Sequence, residues 1–182
     1  MSQTDAAAIL DFWFREVTSE QWWKADASFD QQVGARFLNI LEQAARGELA
    51  AWRETPHGRL AEIIVLDQFS RNVWRGTAQA FTQDAMALAL SQEAVRAGAL
   101  SALTPVECAF LLMPWMHSES NVIHVQAEVL FREHAPTGSY DFELKHKAII
   151  DRFGRYPHRN ATLGRPSTEE ELAFLQQPGS SF

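Results

Sequence analysis

The sequence predicts an all-α protein folded as one domain over residues 1–182. Three observations predict it. Apolar residues recur every three or four positions, the spacing that lines one face of an α-helix. Hydroxyl residues followed three positions later by Glu stand directly ahead of apolar runs, as a helix-starting capping box requires. No segment alternates apolar and polar residues in the way of a half-buried strand. A chain of 182 residues buries roughly two-thirds of the surface its unfolded form exposes, so no metal or disulfide is needed to hold it together. No low-complexity linker, charge block or exact repeat divides it.

The first helix is expected over residues 5–14. Phe29, Val33, Phe37, Ile40, Leu41 and Ala44 then step by threes and fours behind a capping box of Ser28 and Gln31, and Gly47 stops the run. A helix over 57–72 carries Leu60, Ile63 and Ile64 on one face and Val65, Leu66 and Phe69 on the others, so it is predicted to be buried. Another is expected over 79–97. Thr104, Pro105 and Glu107 mark a strong start, because Thr can cap, Pro suits the first helical position and Glu can reach back to the cap amide. The apolar helix that follows is interrupted by Pro114. Helices over 120–135 and 140–153 come next, the second closed by Gly154, and Thr168 with Glu171 repeats the box before Leu172, Phe174 and Leu175. The tryptophans Trp13, Trp22, Trp23, Trp52, Trp74 and Trp115 are expected to pack between helices, each indole N–H finding a partner. Trp74 and Trp115 are the positions where ligand stacking is the alternative.

A formal charge of −7, from 16 basic and 23 acidic residues, disfavours a phosphate-backbone surface, so nucleic acid is not an expected partner. The opening residues Met1 to Asp5 do not read as a secretory signal, and no window reaches the length of a membrane span, which makes the cytoplasm the expected location. The one cysteine, Cys108, can form no internal disulfide and lies in the apolar run Ala109 to Leu112, where core packing is its expected role.

Polar residues in apolar surroundings mark where chemistry could lie. Asp67 and Arg71 fall in the middle of the Leu60, Ile63 and Ile64 face at i, i+4 spacing, which suits a buried ion pair. That pair either ties helices together or, with Gln68, Asn72 and Arg75, lines a polar pocket. Between residues 152 and 165 lie Arg152, Arg155, His158, Arg159 and Arg165 without any Asp or Glu, although the chain as a whole is acidic. Such a cluster calls either for an anionic ligand or for carboxylates from elsewhere, and it can equally brace a non-helical segment by bonding helix carbonyls. His117, Ser118 and Glu119 form a His-x-Glu triplet, but the zinc deaminase signature also needs a Pro-Cys-x-x-Cys element that one cysteine cannot supply. His117, His124 and Glu119 lack the spacing of a zinc helix, so no metal is expected, and Ser118 lies in no Gly-x-Ser-x-Gly elbow. His146 shares a face with Phe142, Ile149 and Phe153 and reads as a core histidine whose protonation would be costly.

Five strings, DFWF (Asp11 to Phe14), LDQFSRNVWRGT (Leu66 to Thr77), MPWMHSE (Met113 to Glu119), RFGRYPHRNATLGR (Arg152 to Arg165) and STEEELAFL (Ser167 to Leu175), together resemble the bacterial domain of unknown function 924 family through essentially the whole chain. The resemblance implies a helical fold of the tetratricopeptide-like superfamily, in which antiparallel helix pairs pack as a right-handed α-α superhelix. It supplies no activity, substrate, cofactor or catalytic residue, and no 34-residue period is visible in the sequence.

The expected site is one pocket for a small anionic molecule, built from Arg71, Asn72, Arg75, His117, Glu119, Arg155, His158, Arg159 and Asn160, with no cofactor. The segment Arg155 to Asn160 should fold back against the Arg71 helix and the His117 to Glu119 corner, drawn there by Asp67 and Glu119. If the site performs chemistry, His117 or His158 carries the proton, Glu119 orients it, and the arginines stabilise charge. The alternative is a peptide- or protein-binding scaffold without catalysis, its groove lined by Trp22, Trp23 and Trp52.

Overall fold

The computed structural model describes residues 3–182, so Met1 and Ser2, part of the segment read above as no secretory signal, lie outside the described residues. Helix accounts for 75% of the structure, and no strand occurs among the described residues. The chain begins with α1 (Gln3–Asp11), which runs on into a π-helical turn, Phe12–Glu16, and is followed by α2 (Ser19–Trp23) and α3 (Ala27–Ala45). Next come α4 (Pro56–Ile64), a second π-helical turn over Val65–Phe69, and α5 (Ser70–Val73), which together form one continuous rod. The remainder is α6 (Asp84–Arg96), α7 (Pro105–Met116), α8 (Asn121–His134), α9 (Thr137–Phe153) and α10 (Glu169–Leu175), with short 3-10 turns between several of them.

Most helix starts follow the predicted chemistry. Thr104 and Glu107 close a reciprocal box at α7, and Thr168 and Glu171 do so at α10. At α3 the expected box of Ser28 and Gln31 is replaced by Asp26, whose Oδ1 accepts the Ser28 and Phe29 amides at 2.8 and 3.1 Å. A carboxylate at this position caps and also complements the positive end of the helix dipole, which a neutral Ser cannot do. The helix expected from residue 79 starts as a 3-10 turn, Ala78–Phe81, and becomes α-helical only at Asp84. Pro114 does not interrupt α7, which continues to Met116.

The rod is the centre of the molecule. Every residue from Leu60 to Ser70 is buried, because α1, α3, α6 and α7 all pack on α4, α5 or the π turn between them. Aromatic rings fill one side of it, with Phe12 and Phe37 at 4.8 Å between centroids, Phe37 and Phe69 at 5.1 Å, and Trp13 and Phe110 at 5.6 Å. Two tryptophans satisfy their N–H within this core: Trp22 donates to the Trp13 carbonyl and Trp115 to Ser91. Contrary to expectation, the buried N–H groups of Trp13 and Trp52 have no partner. Cys108 is buried, as its neighbours predict.

The C-terminal half is a second run of packed helices, α7 on α8 and α8 on α9, joined by connectors short enough to reverse the chain. His124 of α8 and Glu143 of α9, both fully buried, meet at 2.7 Å and lock that pair. Gly154 ends α9 with φ of +69°, a left-handed turn that sends the chain back toward α7, where the Tyr156 hydroxyl donates to the Met116 carbonyl at 2.5 Å.

Gly58 marks the tightest approach in the fold, because a Cβ at that position would stand 2.0 Å from the Trp52 carbonyl oxygen. Backbone cannot yield as a flexible side chain does, so Gly58→Ala should destabilise by about 1–3 kcal/mol or more, read as a fall in urea midpoint at unchanged slope. An unchanged midpoint would contradict the packing of α4 on the preceding 3-10 turn.

Candidate functional site

The site begins inside the rod. Asp67 sits in the π turn and its side chain is fully buried, a position that needs partners for the charge. It has three: His117 Nδ1 at 2.8 Å, Gln68 Nε2 at 2.6 Å, and Arg71 Nη1 at 3.3 Å. The same Arg71 nitrogen donates to the Asp67 carbonyl at 2.9 Å, and the guanidinium makes a two-pronged pair with Asp84 at 2.8 and 3.0 Å. Asp84 stands in the first turn of α6, so one carboxylate from each of two elements holds Arg71 in place. The segment after α9 adds Arg159, buried, whose Nη1 reaches Asp84 only at 3.5 Å and whose Nε has no partner. Its guanidinium lies 4.7 Å over the Phe81 ring and 4.6 Å over Tyr156. His158, next to it, has a buried Nδ1 without a partner.

Gln68, Arg71, His117, His158 and Arg159 face a cavity of about 680 Å³, with Asp67 and Asp84 behind them. Of the nine residues predicted for the site, Arg71, Asn72, Arg75, His117, His158 and Arg159 line it. Asn72 and Arg75 are both anchored at 2.8 Å on Asp30 of α3.

Glu119, Arg155 and Asn160 do not line the cavity. Glu119 accepts the Tyr156 amide at 2.7 Å and a two-pronged pair from Arg165 at 2.6 and 2.9 Å. Arg155 pairs with Glu171 at 2.6 and 2.8 Å, and Asn160 bonds Ser167, Glu171 and Arg165. The arginine cluster is therefore divided. Glu170 and Glu171 of α10 neutralise Arg152 and Arg155, Glu119 neutralises Arg165, and only Arg159 is delivered to the cavity. The segment does fold back on α7, but Glu119 braces it and does not orient His117. That role falls to Asp67.

Gln68, read from the sequence as a pocket residue beside Asn72 and Arg75, lines the cavity too, and so do residues that the sequence did not assign to a pocket: Phe81, Phe142, His146, Tyr156 and Phe182. Asp84 was missed for a physical reason, since an acid in the first turn of a helix reads as a partner of the dipole. Trp22 and Trp23 line this cavity, whereas Trp52 lines a separate hollow of about 460 Å³ against α1, so the three do not form one groove. Neither Trp74 nor Trp115 faces the cavity; both pack into the core. Among the described residues no group of three or more His, Cys, Asp or Glu is placed to hold a metal ion, and no helix is long and apolar enough to cross a membrane. Both ring nitrogens of His124 are engaged, one with Glu143 and one with the Ser118 carbonyl.

The family model described as bacterial protein of unknown function (DUF924) matches residues 9–179. The chain belongs to the DUF924 family. A solved structure of a protein of unknown function from Agrobacterium tumefaciens is 35% identical, covers 95% of this chain and 97% of its own, and superimposes with a TM-score of 0.90. A comparison with curated proteins returns no match.

In this DUF924 protein the electrostatics of the cavity follow from burial. Burial opposes the charge on Asp67, yet Arg71 and His117 overcome it and hold the carboxyl well below its ordinary range, so it is ionised. Burial and the nearby Arg71 push the His117 pKa down, which keeps the imidazole neutral near pH 7. Its Nδ1–H then donates to Asp67, and Nε2 is left as an acceptor able to take a proton from a bound molecule. Burial and then Arg71 also lower the pKa of Arg159, the mark of a cation short of compensation, although a guanidinium stays charged. Burial lowers His146 to about 3 and His158 to about 4.

Replacing Asp67 by Ala removes an acceptor that Arg71 and His117 share. The expected cost is about 3 kcal/mol, the low end for breaking a buried pair, because Asp84 still holds Arg71. A loss within about 0.5 kcal/mol, the range of surface substitutions, would contradict this account.

His146 and His158 also set a pH dependence. In the unfolded chain they take up protons near their ordinary pKa, and in the folded protein only near 3 and 4, so their contribution is complete above about pH 6.5 and shrinks as pH falls. Between pH 7 and 5.5 each should cost about 1 kcal/mol of stability. The depressed carboxylates Asp67, Glu119 and Glu171 lose theirs only at lower pH. Urea titrations at the two pH values should show the loss, and His146→Phe should reduce it by about 1 kcal/mol. An equal loss in both proteins would mean that His146 is not held neutral.

Proposed function

We propose that this protein binds a small anionic molecule in the cavity, with Arg71 and Arg159 as the charged contacts and Asn72, Arg75, His117 and His158 around them. One observation carries the reading. Lys24, Arg71, Arg75 and Arg159 line the cavity and, among the described residues, no Asp or Glu does, in a chain whose formal charge is −7. The carboxylates that pair with the arginines, Asp30, Asp67 and Asp84, stand outside the lining, so the cavity side of the cluster presents cations. Arg159 supports the reading further, since its Nε is unpartnered and its one carboxylate contact is long. A buried guanidinium in that state gains more from a bound carboxylate or phosphate than an exposed one does, because the surroundings screen the attraction less.

Differential scanning fluorimetry against phosphorylated and carboxylated metabolites, with chloride at matched ionic strength as control, tests the proposal. A binding anion at about a hundred times its dissociation constant should stabilise by roughly 2.7 kcal/mol, which raises the melting temperature of a chain this size by about 5–10 °C. Arg159→Gln should remove the response. If no anion raises the melting temperature above the chloride control, or if Arg159→Gln responds as strongly as the wild type, the reading is wrong.

A further inference from the structure

We infer that the anion has a flat aromatic body, so that its charged end meets Arg71 and Arg159 while its ring lies against the aromatic wall of the same cavity. This rests on the anion-binding reading and adds the class of molecule. Three features of the cavity support it.

The first is size. A cavity of about 680 Å³ lies in the range of pockets that enclose drug-sized ligands, roughly 300–1,000 Å³, whereas one water molecule takes up about 30 Å³. Inorganic phosphate or acetate would occupy the charged end and leave most of the space to water.

The second is where the protein exposes aromatic surface. Among the described residues ten large hydrophobics are exposed, and seven of them are aliphatic residues that do not line the cavity. The other three, Trp23 at 61%, Phe142 at 51% and Phe182 at 51% exposure, are aromatic and all line it. They come from α2, from α9 and from the residues beyond α10, so no single amphipathic helix accounts for their meeting. Rings left in water at the mouth of a cationic cavity supply apolar area that a ligand can bury, and their faces favour stacked or edge-on rings.

The third is that one such stack already exists there. The Phe182 ring lies 3.8 Å from the His146 imidazole, with 22° between their planes, on the same wall. This wall accommodates a flat ring against a flat ring, and an alkyl chain makes less use of such a surface. Arg71 and Arg159 are fixed on α5 and the turn after α9, while the exposed ring of Trp23 lies on α2, so the lining offers both cations and exposed rings to one molecule.

Isothermal titration with 1-naphthyl phosphate, inorganic phosphate, octyl phosphate and 1-naphthol tests this, with 1-naphthoate and acetate as the carboxylate arm. Naphthyl phosphate or naphthoate should bind at least tenfold more tightly than its simple anion, and more tightly than octyl phosphate or naphthol. Trp23→Ala and Phe142→Ala, both at exposed positions, should each weaken the aromatic anion about fivefold or more, while Val125→Ala on the far exposed face of α8 should not. If the simple anion binds as well as its naphthyl counterpart, the aromatic inference fails and the anion reading stands. If octyl phosphate matches naphthyl phosphate, the body is aliphatic and the inference is again overturned. If naphthol binds as well as naphthyl phosphate, or if none of the anions binds, the anion reading itself fails and this inference goes with it.

Discussion

A carboxylate with no access to water, placed in the middle of the most buried helical rod, constrains the rest of this molecule. Asp67 can remain ionised there only because Arg71, His117 and Gln68 converge on it, and each connection fixes another element. Arg71 brings in Asp84 and so orients the start of α6. His117 ties down the end of α7. The π turn that holds Asp67 interrupts the regular ladder at that position, a local irregularity that is common where a helix serves a site. Breaking the pair would leave an uncompensated charge in the core, whereas an apolar replacement of the whole cluster need not cost stability. The cluster is thus better explained by what it positions than by what it stabilises: an acceptor nitrogen on His117 and a guanidinium held toward the cavity.

The basic segment after α9 shows the same division between bracing and presenting. Glu119 receives both the Tyr156 amide and the Arg165 guanidinium, and Tyr156 reaches the last turn of α7 through its hydroxyl. With Arg155 tied to Glu171, the chain between has little freedom, and Arg159 is carried into a buried position beside Arg71. Two guanidiniums that share Asp84 repel each other, and the fold tolerates this because the pairs on either side of the segment hold it in place. A cavity that meets water with cations and aromatic faces is the result. His117, His146 and His158 stay neutral at physiological pH through burial and contribute nothing to the net charge of the site.

Much of this was legible in the sequence, and the legible part has a common cause. Periodicity and capping report local backbone preference, so the helical class, the starts at Thr104 and Thr168, the buried character of residues 60–70 and the stop at Gly154 could all be read directly. Family membership was carried by strings such as RFGRYPHRNATLGR. Asp67 and Arg71 announced themselves as charges on an apolar face. The errors were mostly of partnership. Glu119 stands two residues from His117 in sequence yet serves Arg165, while Asp67, fifty residues away, serves His117.

The sequence by itself determined which segments are helical, which polar residues are out of place in an apolar setting, and that basic groups gather in one segment of an acidic chain. Only the tertiary structure decided which carboxylate meets which arginine, because charge pairing depends on distances between elements and not on spacing along the chain. It separated Arg159 from Arg155, Glu119 and Asn160, excluded Trp52 from the wall that holds Trp22 and Trp23, set Asp84 behind Arg71, and brought Phe81, Phe142 and Phe182 to a cavity that no local pattern marks. The packing of four helices around one buried rod sets those distances, and it is a property of the whole chain.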